Sequence, residues 1–274
     1  MTENGTSIAV ISPKGGAICK LLLNDFELIP DFLAEDPLDY IYGHILAPWP
    51  NRLEDASYEF RGTRYQFEDH DAQHNKNHGL LLTEDFELRE HFQDRITLGY
   101  RFGNHPGYPF EIDLEIQYAL TDHGFEVSAT AKNLGKDAPF AIGFHPYFLT
   151  SDHFRLQAKF SSKSIQNERM LPVGTEVISG LDLDQDSKEL ADLDHLFEGS
   201  SKVSIAREDG VLVIEATKNL PFFMAYRPKD PIASERVLAL EPQSARANVF
   251  RTDIESVVIR SGEQKTYSFQ IRRQ

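Results

Sequence analysis

The chain has 274 residues, of which 41% are hydrophobic, so it can bury a substantial core and is not a disordered protein. Its formal net charge of −15 opposes binding to phosphate backbones, and we therefore expect no nucleic-acid partner. A single cysteine, Cys19, excludes an intramolecular disulfide. Residues 1–12 lack a signal-peptide pattern, and no apolar run is long enough to span a membrane. The sequence therefore predicts a cytoplasmic protein without a membrane partner.

Short runs of alternating or β-branched residues recur along the chain and predict strands. In order they are 7–12, 17–23, 57–67, 95–102, 110–120, 124–134, 202–206, 210–217, 221–228, 235–242, 254–260 and 265–273. Helical turns are expected only in 31–46 and 186–197. Because many strands follow one another without a linker or repeat, we predict one all-β domain over residues 1–274, either a sandwich or a barrel.

The run DHDAQHNKNHGLL (69–81) places His70, His74 and His78 at four-residue spacing. On a helix, this spacing would put three imidazoles on one face, as a metal site requires. The run has no apolar stripe, however, and it is rich in Asp and Asn, which favour turns. We expect no metal ion here, and either a polar loop or a loop that directs one or two histidines into a pocket.

Two further places carry a basic side chain in an unusual context. APWPNRL (47–53) contains Arg52, whose five donors suit polar oxygens, although the spacing alone favours a surface arginine in a proline-rich turn. In FAIGFHPYF (140–148), Pro146 favours an extended conformation at His145. That histidine is either a satisfied core residue or a proton donor near neutral pH.

In RVLALEPQS (236–244), Glu241 ends an apolar strand, and Pro242 keeps it extended. No basic residue adjoins this carboxyl group, so desolvation would raise its pKa and make it a better base near neutral pH. A solvated acid at the end of a strand is equally compatible with the sequence.

These places resemble, in the same order, the motifs of the aldose 1-epimerase (galactose mutarotase) family. The matching segments are APWPNRL for its Asn-Arg motif, NHGLL (77–81) for its first histidine motif, GFHPYF (143–148) for its second, Asp194-His195 for its Asp-His pair and LEPQ (240–243) for its glutamate motif. GYPF (107–110) also looks like a family feature. Each motif alone is weak, but five in order, from about Ile41 to Gln243, are specific. The sequence PQSARAN after Glu241 is closer to the broad bacterial branch than to galactose-type members.

The resemblance implies a large antiparallel β-sandwich, the galactose mutarotase-like supersandwich, with few short helices and a sugar cleft on one face. It implies interconversion of α and β anomers of a free aldose without a metal or an organic cofactor. Glu241 would be the base at the C1 hydroxyl and His145 the acid at the ring oxygen. The implied sugar contacts are Asn51, Arg52, His78, Asp194 and Gln243. Trp49 either offers an apolar face to the sugar or packs in the core.

Three alternatives remain open, and the sequence leaves the oligomeric state unassigned. A hexose-6-phosphate epimerase of the same fold would need a basic cluster at the cleft, for which the candidates are Arg61, Arg64, Arg101, Arg227 and Arg246. The net charge of −15 disfavours that function. A non-catalytic carbohydrate-binding protein could share the fold. A glycosidase could use Asp194 and Glu241, but it would leave the histidines without a role.

Overall fold

The computed structural model describes residues 2–33, 41–232 and 235–274, whose strands form two large sheets and four small ones. The described strand ladders are all antiparallel. Phe144 in one large sheet and Phe269 in the other have ring centroids 4.9 Å apart, so the two sheets pack face to face. The predicted all-β antiparallel sandwich is therefore confirmed.

The first large sheet has nine strands, and strands are numbered along the chain. Its strands in spatial order are β10 (Glu87–His91), β11 (Arg95–Arg101), β12 (Ile112–Thr121), β13 (Gly124–Asn133), β27 (Gln264–Arg273), β23 (Gly210–Ala216), β22 (Lys202–Arg207), β17 (Phe154–Ala158) and β20 (Leu181–Asp184). In β12, Leu114, Ile116, Tyr118 and Leu120 are all buried, as the period-two pattern predicts. This face of the sheet forms one wall of the core.

The second large sheet has eight strands and carries the candidate site. Its strands are β19 (Pro172–Val177), β18 (Ser162–Gln166), β21 (Asp194–Glu198), β24 (Phe222–Tyr226), β25 (Val237–Gln243), β15 (Gly143–Phe144) and β5 (Ile45–Leu46), with β16 (Tyr147–Leu149) also paired to β25. Every residue of β25 is buried, because this central strand is covered on both faces.

The remaining strands form a four-stranded sheet and three two-stranded ladders. The sheet contains β1 (Thr2–Asn4), β2 (Ser7–Ile11), β3 (Ile18–Leu23) and β4 (Phe26–Ile29); the ladders are β6 (Arg52–Leu53) with β9 (Lys76–Asn77), β7 (Ser57–Phe60) with β8 (Thr63–Gln66), and β14 (Ala138–Pro139) with β26 (Val258–Ile259).

Helices are few and short, as predicted. The described ones are α1 (Lys188–Ala191), α2 (Val249–Thr252) and the 3-10 helices Glu54–Ala56 and Ile254–Val257. None of the described helices is long and apolar enough to cross a bilayer. Helix α1 falls within the helical turn predicted for 186–197. In 31–46, residues 34–40 lie outside the described residues, and the part that follows ends in β5.

The strand predicted for 254–260 is wrong in its first half. Residues Ile254–Val257 form a 3-10 helix, and only Val258 and Ile259 are in a strand. The backbone N–H and the hydroxyl of Ser256 both donate to the carbonyl oxygen of Asp253, at 3.2 and 2.7 Å. These local hydrogen bonds close a turn that β-branched composition does not reveal. Each of the other predicted runs contains a strand.

Candidate active site

The Asn-Arg motif and the first histidine motif form one structural unit, because β6 pairs with β9. The backbone N–H of His78 donates to the carbonyl oxygen of Asn51 at 2.9 Å, and the N–H of Asn51 donates to Nδ1 of His78 at 3.2 Å. Gly79 has φ +72°, and a Cβ there would lie 2.1 Å from the carbonyl oxygen of Ala47. Only glycine permits this approach, which explains the His-Gly pair in the motif.

The contact with Asn51 fixes the tautomer of His78. Since Nδ1 accepts a hydrogen bond, the neutral ring carries its proton on Nε2. Burial, the neighbouring His145 and the Arg52 guanidinium hold the pKa of His78 well below its usual value. His78 is therefore a neutral hydrogen-bond donor. Both Asn51 and His78 have a left-handed backbone, with φ +59° and +57°, as strained residues at functional sites often do.

Glu241 on β25 and His145 between β15 and β16 form a buried pair. Nε2 of His145 lies 3.2 Å from Oε1 of Glu241, and their side chains are 7% and 2% exposed. Burial raises the pKa of Glu241 well above its usual value and lowers the pKa of His145 to about 3. The pair thus holds a single proton between the lowered pKa of His145 and the raised pKa of Glu241. The desolvation predicted for Glu241 is present.

Gln243 shares a face of β25 with Glu241 but does not line the cleft. Its side chain is fully buried, and Nε2 donates to Oε2 of Glu241 at 2.9 Å. The predicted direct sugar contact of Gln243 is thus corrected: the amide orients the carboxyl group. The strand also continues through Pro242 to Gln243 instead of ending at Glu241.

A cleft of about 240 Å³ opens over the Glu241–His145 pair. The predicted site residues that line it are Asn51, Arg52, His78, His145, Asp194 and Glu241. The sequence analysis missed five further lining residues: Ile41, Asn77, Tyr147, Met224 and Tyr226. Asn77 directly precedes His78 and could have been included with its motif. Met224 and Tyr226 can be assigned to the cleft only from the pairing of β24 with β25 and β21.

The Asp-His pair divides between two faces of β21. Asp194 lines the cleft, where burial raises its pKa and the positive charge of Arg52 opposes that rise. His195, the next residue, points to the opposite face and lines a separate cavity of about 1320 Å³ formed by strands of both large sheets. The alternation of side chains along a strand therefore assigns Asp194 to the cleft and His195 away from it.

The model of the aldose 1-epimerase family matches residues 1–272 of this chain. The chain belongs to the aldose 1-epimerase family. Among curated proteins, the uncharacterized protein YihR of Escherichia coli strain K12 is 28% identical over 278 residues, which cover 96% of this chain and 89% of YihR.

Solved structures share the fold at low sequence identity. A GalM/aldose epimerase homologue from C. elegans superposes with a TM-score of 0.84 at 18% identity, covering 100% of this chain and 97% of that one. A galactose 1-epimerase from Lactobacillus acidophilus superposes with a TM-score of 0.81 at 16% identity, covering 99% and 92%. These likenesses establish a galactose mutarotase-like fold for this family member.

Trp49 belongs to the core of this aldose 1-epimerase family member and not to its cleft. Its side chain is 1% exposed, and its ring centroid lies 5.1 Å from that of Phe67 and 5.4 Å from that of Phe250. The alternative in which Trp49 presents an apolar face to the sugar is therefore corrected. Only the neighbouring Asn51 and Arg52 of the same motif reach the cleft.

The histidine-rich run is a loop, as predicted. Oδ1 of Asp71 accepts hydrogen bonds from the backbone N–H groups of Gln73 and Asn75, at 2.9 and 2.8 Å, which forms a turn and not a helix. The rings of His70 and His74 are tilted by 46° with centroids 4.7 Å apart, and they do not line the cleft that His78 lines. Within the described ranges, no group of three His, Cys, Asp or Glu side chains is placed to hold a metal ion.

Proposed function

We propose that this protein is a mutarotase that interconverts the α and β anomers of a free aldose. The observation that carries the proposal is the buried contact of 3.2 Å between His145 Nε2 and Glu241 Oε1 at the cleft. Ring opening of a hemiacetal needs one base and one acid, and closure needs the same two groups with their roles exchanged. A pair that shares a single proton meets this requirement without a covalent nucleophile.

In the proposed reaction, the sugar lies in the cleft over the Glu241–His145 pair. Before ring opening, the proton that the pair shares moves from Glu241 to His145 across their 3.2 Å contact. The Glu241 carboxylate then takes the proton of the C1 hydroxyl, the bond between C1 and the ring oxygen breaks, and the ring oxygen takes the proton from His145. The C1 aldehyde then rotates about the C1–C2 bond. During closure from the other face, the hydroxyl that forms the ring oxygen returns its proton to His145. Glu241 then gives the second proton to the oxygen at C1, which becomes the new C1 hydroxyl, so the pair is restored.

The other cleft residues would orient the ring hydroxyl groups. Arg52 and the Nε2–H of His78 are donors, and Asp194 is an acceptor. Burial raises the pKa of both Asp194 and Glu241, and the Arg52 guanidinium opposes that rise, which favours the charged form of the base. Fixed donors and charges of this kind also stabilise charge that develops on the ring oxygen.

The positions of the arginines considered for a phosphate site favour a free sugar as the substrate over a hexose 6-phosphate. Arg61 pairs with Asp137 and Glu255, Arg101 with Glu111, and Arg246 with Glu198. None of the five candidates, including Arg64 and Arg227, lines the cleft. Among the residues that line it, Arg52 faces two carboxyl groups, so a phosphate would meet no net positive charge.

Anomer exchange of glucose and galactose, followed by NMR with purified protein, tests the proposal. We expect exchange well above the buffer rate, and a fall of about 10²–10⁴-fold in Glu241→Gln, because the amide cannot accept the hydroxyl proton. Glu235→Gln is the matched control, since Glu235 is exposed and lies two residues before β25. This control should exchange anomers at the wild-type rate.

Two outcomes would contradict the proposal. Exchange at the buffer rate for a panel of free aldoses, together with sugar binding that survives Glu241→Gln, would indicate a non-catalytic binding protein. Exchange of hexose 6-phosphates but not of free sugars would indicate the phosphate-specific alternative.

A further inference from the structure

Arg169 lies in the turn between β18 and β19 and does not line the cleft. Its side chain nevertheless contacts two segments that do reach the cleft, residues 51–56 and residues 71–78. We propose that Arg169 is a positioning residue that clamps these two segments together and so holds the sugar-orienting side of the cleft in place. This inference rests on the proposed mutarotase function, for which it names a residue that sets the affinity for the sugar.

The cleft side that the two segments form depends on a very short ladder. Asn51, Arg52, Asn77 and His78 all line the cleft, and the strands that carry or adjoin them, β6 and β9, are joined by two residue pairs. A two-stranded pairing of this length has little stability of its own in water. Contacts from outside the ladder are therefore needed to keep these four side chains in position.

The backbone of the two segments is also strained. Among the described residues, eleven residues other than glycine have a positive φ, and five of them lie here: Asn51, Asp55, Ala56, His74 and His78. Side chains disfavour this conformation, which persists only where the surrounding structure holds it. The concentration of such residues on both sides of one short ladder indicates an external restraint.

On the side of the Asn-Arg motif, the guanidinium group of Arg169 contacts two acidic side chains. Its Nη2 donates to Oδ1 of Asp55 at 2.8 Å, and its Nη1 donates to Oε1 of Glu54 at 3.4 Å. Asp55 and the buried Ala56 are consecutive residues with positive φ. The contact with Arg169 thus holds the strained turn that follows Arg52.

On the side of the first histidine motif, the same guanidinium group contacts the loop before His78. Its Nε donates to the carbonyl oxygen of Gln73 at 3.1 Å, and its Nη2 donates to Oδ1 of Asn75, also at 3.1 Å. Nδ2 of the fully buried Asn75 donates in return to the carbonyl oxygen of Arg169 at 3.2 Å. A planar cation with five directed donors can join both segments in this way, whereas the ammonium group of a lysine cannot.

The turn that carries Arg169 is itself ordered. Oδ1 of Asn167 accepts the backbone N–H groups of Arg169 and Leu171, at 2.9 and 3.1 Å. Nε2 of Gln73 donates to the carbonyl oxygen of Glu168 at 3.2 Å, which ties the loop to the same turn. Because β18 and β19 belong to the eight-stranded sheet, the clamp fixes the short ladder relative to that sheet.

The clamp acts on a different part of the cleft from the proton-transfer pair. Glu241 lies on β25, and His145 lies between β15 and β16, which both pair with β25. Their positions are set within the eight-stranded sheet, while the contacts of Arg169 hold the segments that orient the sugar. Loss of the clamp should therefore weaken sugar binding more than the chemical step, which appears as a rise in KM.

Arg169→Lys tests the proposal, because it keeps a positive charge beside Glu54 and Asp55 but removes the planar fork. In NMR anomer exchange of glucose and galactose, we expect kcat/KM to fall by about tenfold, mostly through KM. Arg155→Lys is the matched control, since Arg155 donates to both carboxylate oxygens of Asp182, at 2.5 and 2.7 Å, and does not line the cleft. Its kcat and KM should equal those of the wild-type protein.

Arg251→Lys separates the bridge between the segments from the charge on one of them. Nε of Arg251 lies 3.4 Å from Oε2 of Glu54, and its Nη1 lies 3.6 Å from Oδ2 of Asp55, so it pairs with the same two carboxylates as Arg169. Its recorded contacts include none with residues 71–78 in the described part of the chain. We expect Arg251→Lys to raise KM to a smaller extent than Arg169→Lys. Equal increases would overturn the bridge.

Amide hydrogen exchange measures the clamp without sugar or catalysis. The N–H of His78 donates to the carbonyl oxygen of Asn51 at 2.9 Å, so its exchange rate reports opening of the ladder. In Arg169→Lys, this amide should exchange at least about tenfold faster, while the amides of β13, in the middle of the nine-stranded sheet, keep their wild-type rates. A uniform increase at both places would indicate general destabilisation and overturn a local clamp.

The two measurements separate failure of the clamp from failure of the proposed function. Faster exchange at the His78 amide in Arg169→Lys, together with no anomer exchange by the wild-type protein, would retain the clamp and reject the mutarotase. Anomer exchange by the wild-type protein, with KM and the His78 amide unchanged in Arg169→Lys, would retain the mutarotase and overturn the clamp.

Discussion

Nε2 of His145 lies 3.2 Å from Oε1 of Glu241, with both side chains almost fully buried at the cleft. The contact joins the loop between β15 and β16 to the central strand β25, which are almost 100 residues apart in the sequence. Because burial disfavours the charged form of each group, the pair keeps one proton over a wide range of pH.

The first prediction concerns the pH dependence of this pair. A second proton, which removes the base, binds only when the pH falls towards the lowered pKa of His145, about 3. The single proton, which provides the acid, is lost only when the pH rises above the raised pKa of Glu241. We therefore expect kcat/KM to fall on the acid side only as the pH approaches the lowered pKa of His145, and on the alkaline side only through the raised pKa of Glu241.

NMR anomer exchange, corrected for the buffer-catalysed rate at each pH, measures this profile. An acidic limb with its midpoint near pH 6.5, the usual pKa of histidine, would contradict the buried pair. Since the raised pKa of Asp194 could add a limb of its own, the same profile measured with Asp194→Asn separates the two carboxyl groups.

The second prediction concerns Gln243, whose amide positions Glu241 through one hydrogen bond of 2.9 Å. Gln243→Leu should lower kcat by about tenfold with little change in KM, because the carboxyl group loses its orientation while the sugar-contacting residues remain. The amide also lowers the pKa of Glu241, so its loss should move the alkaline limb of the pH profile to higher pH. A rise in KM alone would instead indicate direct sugar binding by Gln243.

The third prediction separates the three histidines of residues 70–78. His78→Ala should lower kcat/KM by about 10–10²-fold, since the cleft loses its neutral donor at Nε2. His70→Ala and His74→Ala should retain wild-type kcat/KM, because their rings lie outside the cleft. Measured zinc content provides a second check: stoichiometric zinc that is lost in His70→Ala would restore the metal-site hypothesis.

The fourth prediction uses the only tryptophan as a probe. Because Trp49 packs between Phe67 and Phe250, its fluorescence should not respond to a saturating sugar. Trp49→Phe should lower the free energy of unfolding by about 1–3 kcal/mol and leave KM at its wild-type value. A fluorescence change that saturates with sugar, or a raised KM, would place this ring at the cleft after all.

The sequence by itself determined the strand content, since period-two patterns such as that of residues 112–121 reflect the geometry of a half-buried strand. It also identified the segments around Arg52, His78, His145, Asp194 and Glu241 through their order along the chain. Local sequence could not show the turn at residues 254–257, where the hydrogen bonds of Ser256 outweigh β-branched composition.

Only the tertiary structure decided which side chains of those segments meet. Asn51 and Trp49 are two residues apart, yet one lines the cleft and the other fills the core. Asp194 and His195 are adjacent, yet they face opposite sides of β21. The strand register places Gln243 against Glu241, and it places Met224 and Tyr226 in the lining of the cleft. Pairing between distant strands sets these positions, and no local pattern encodes the partner or the face that it presents.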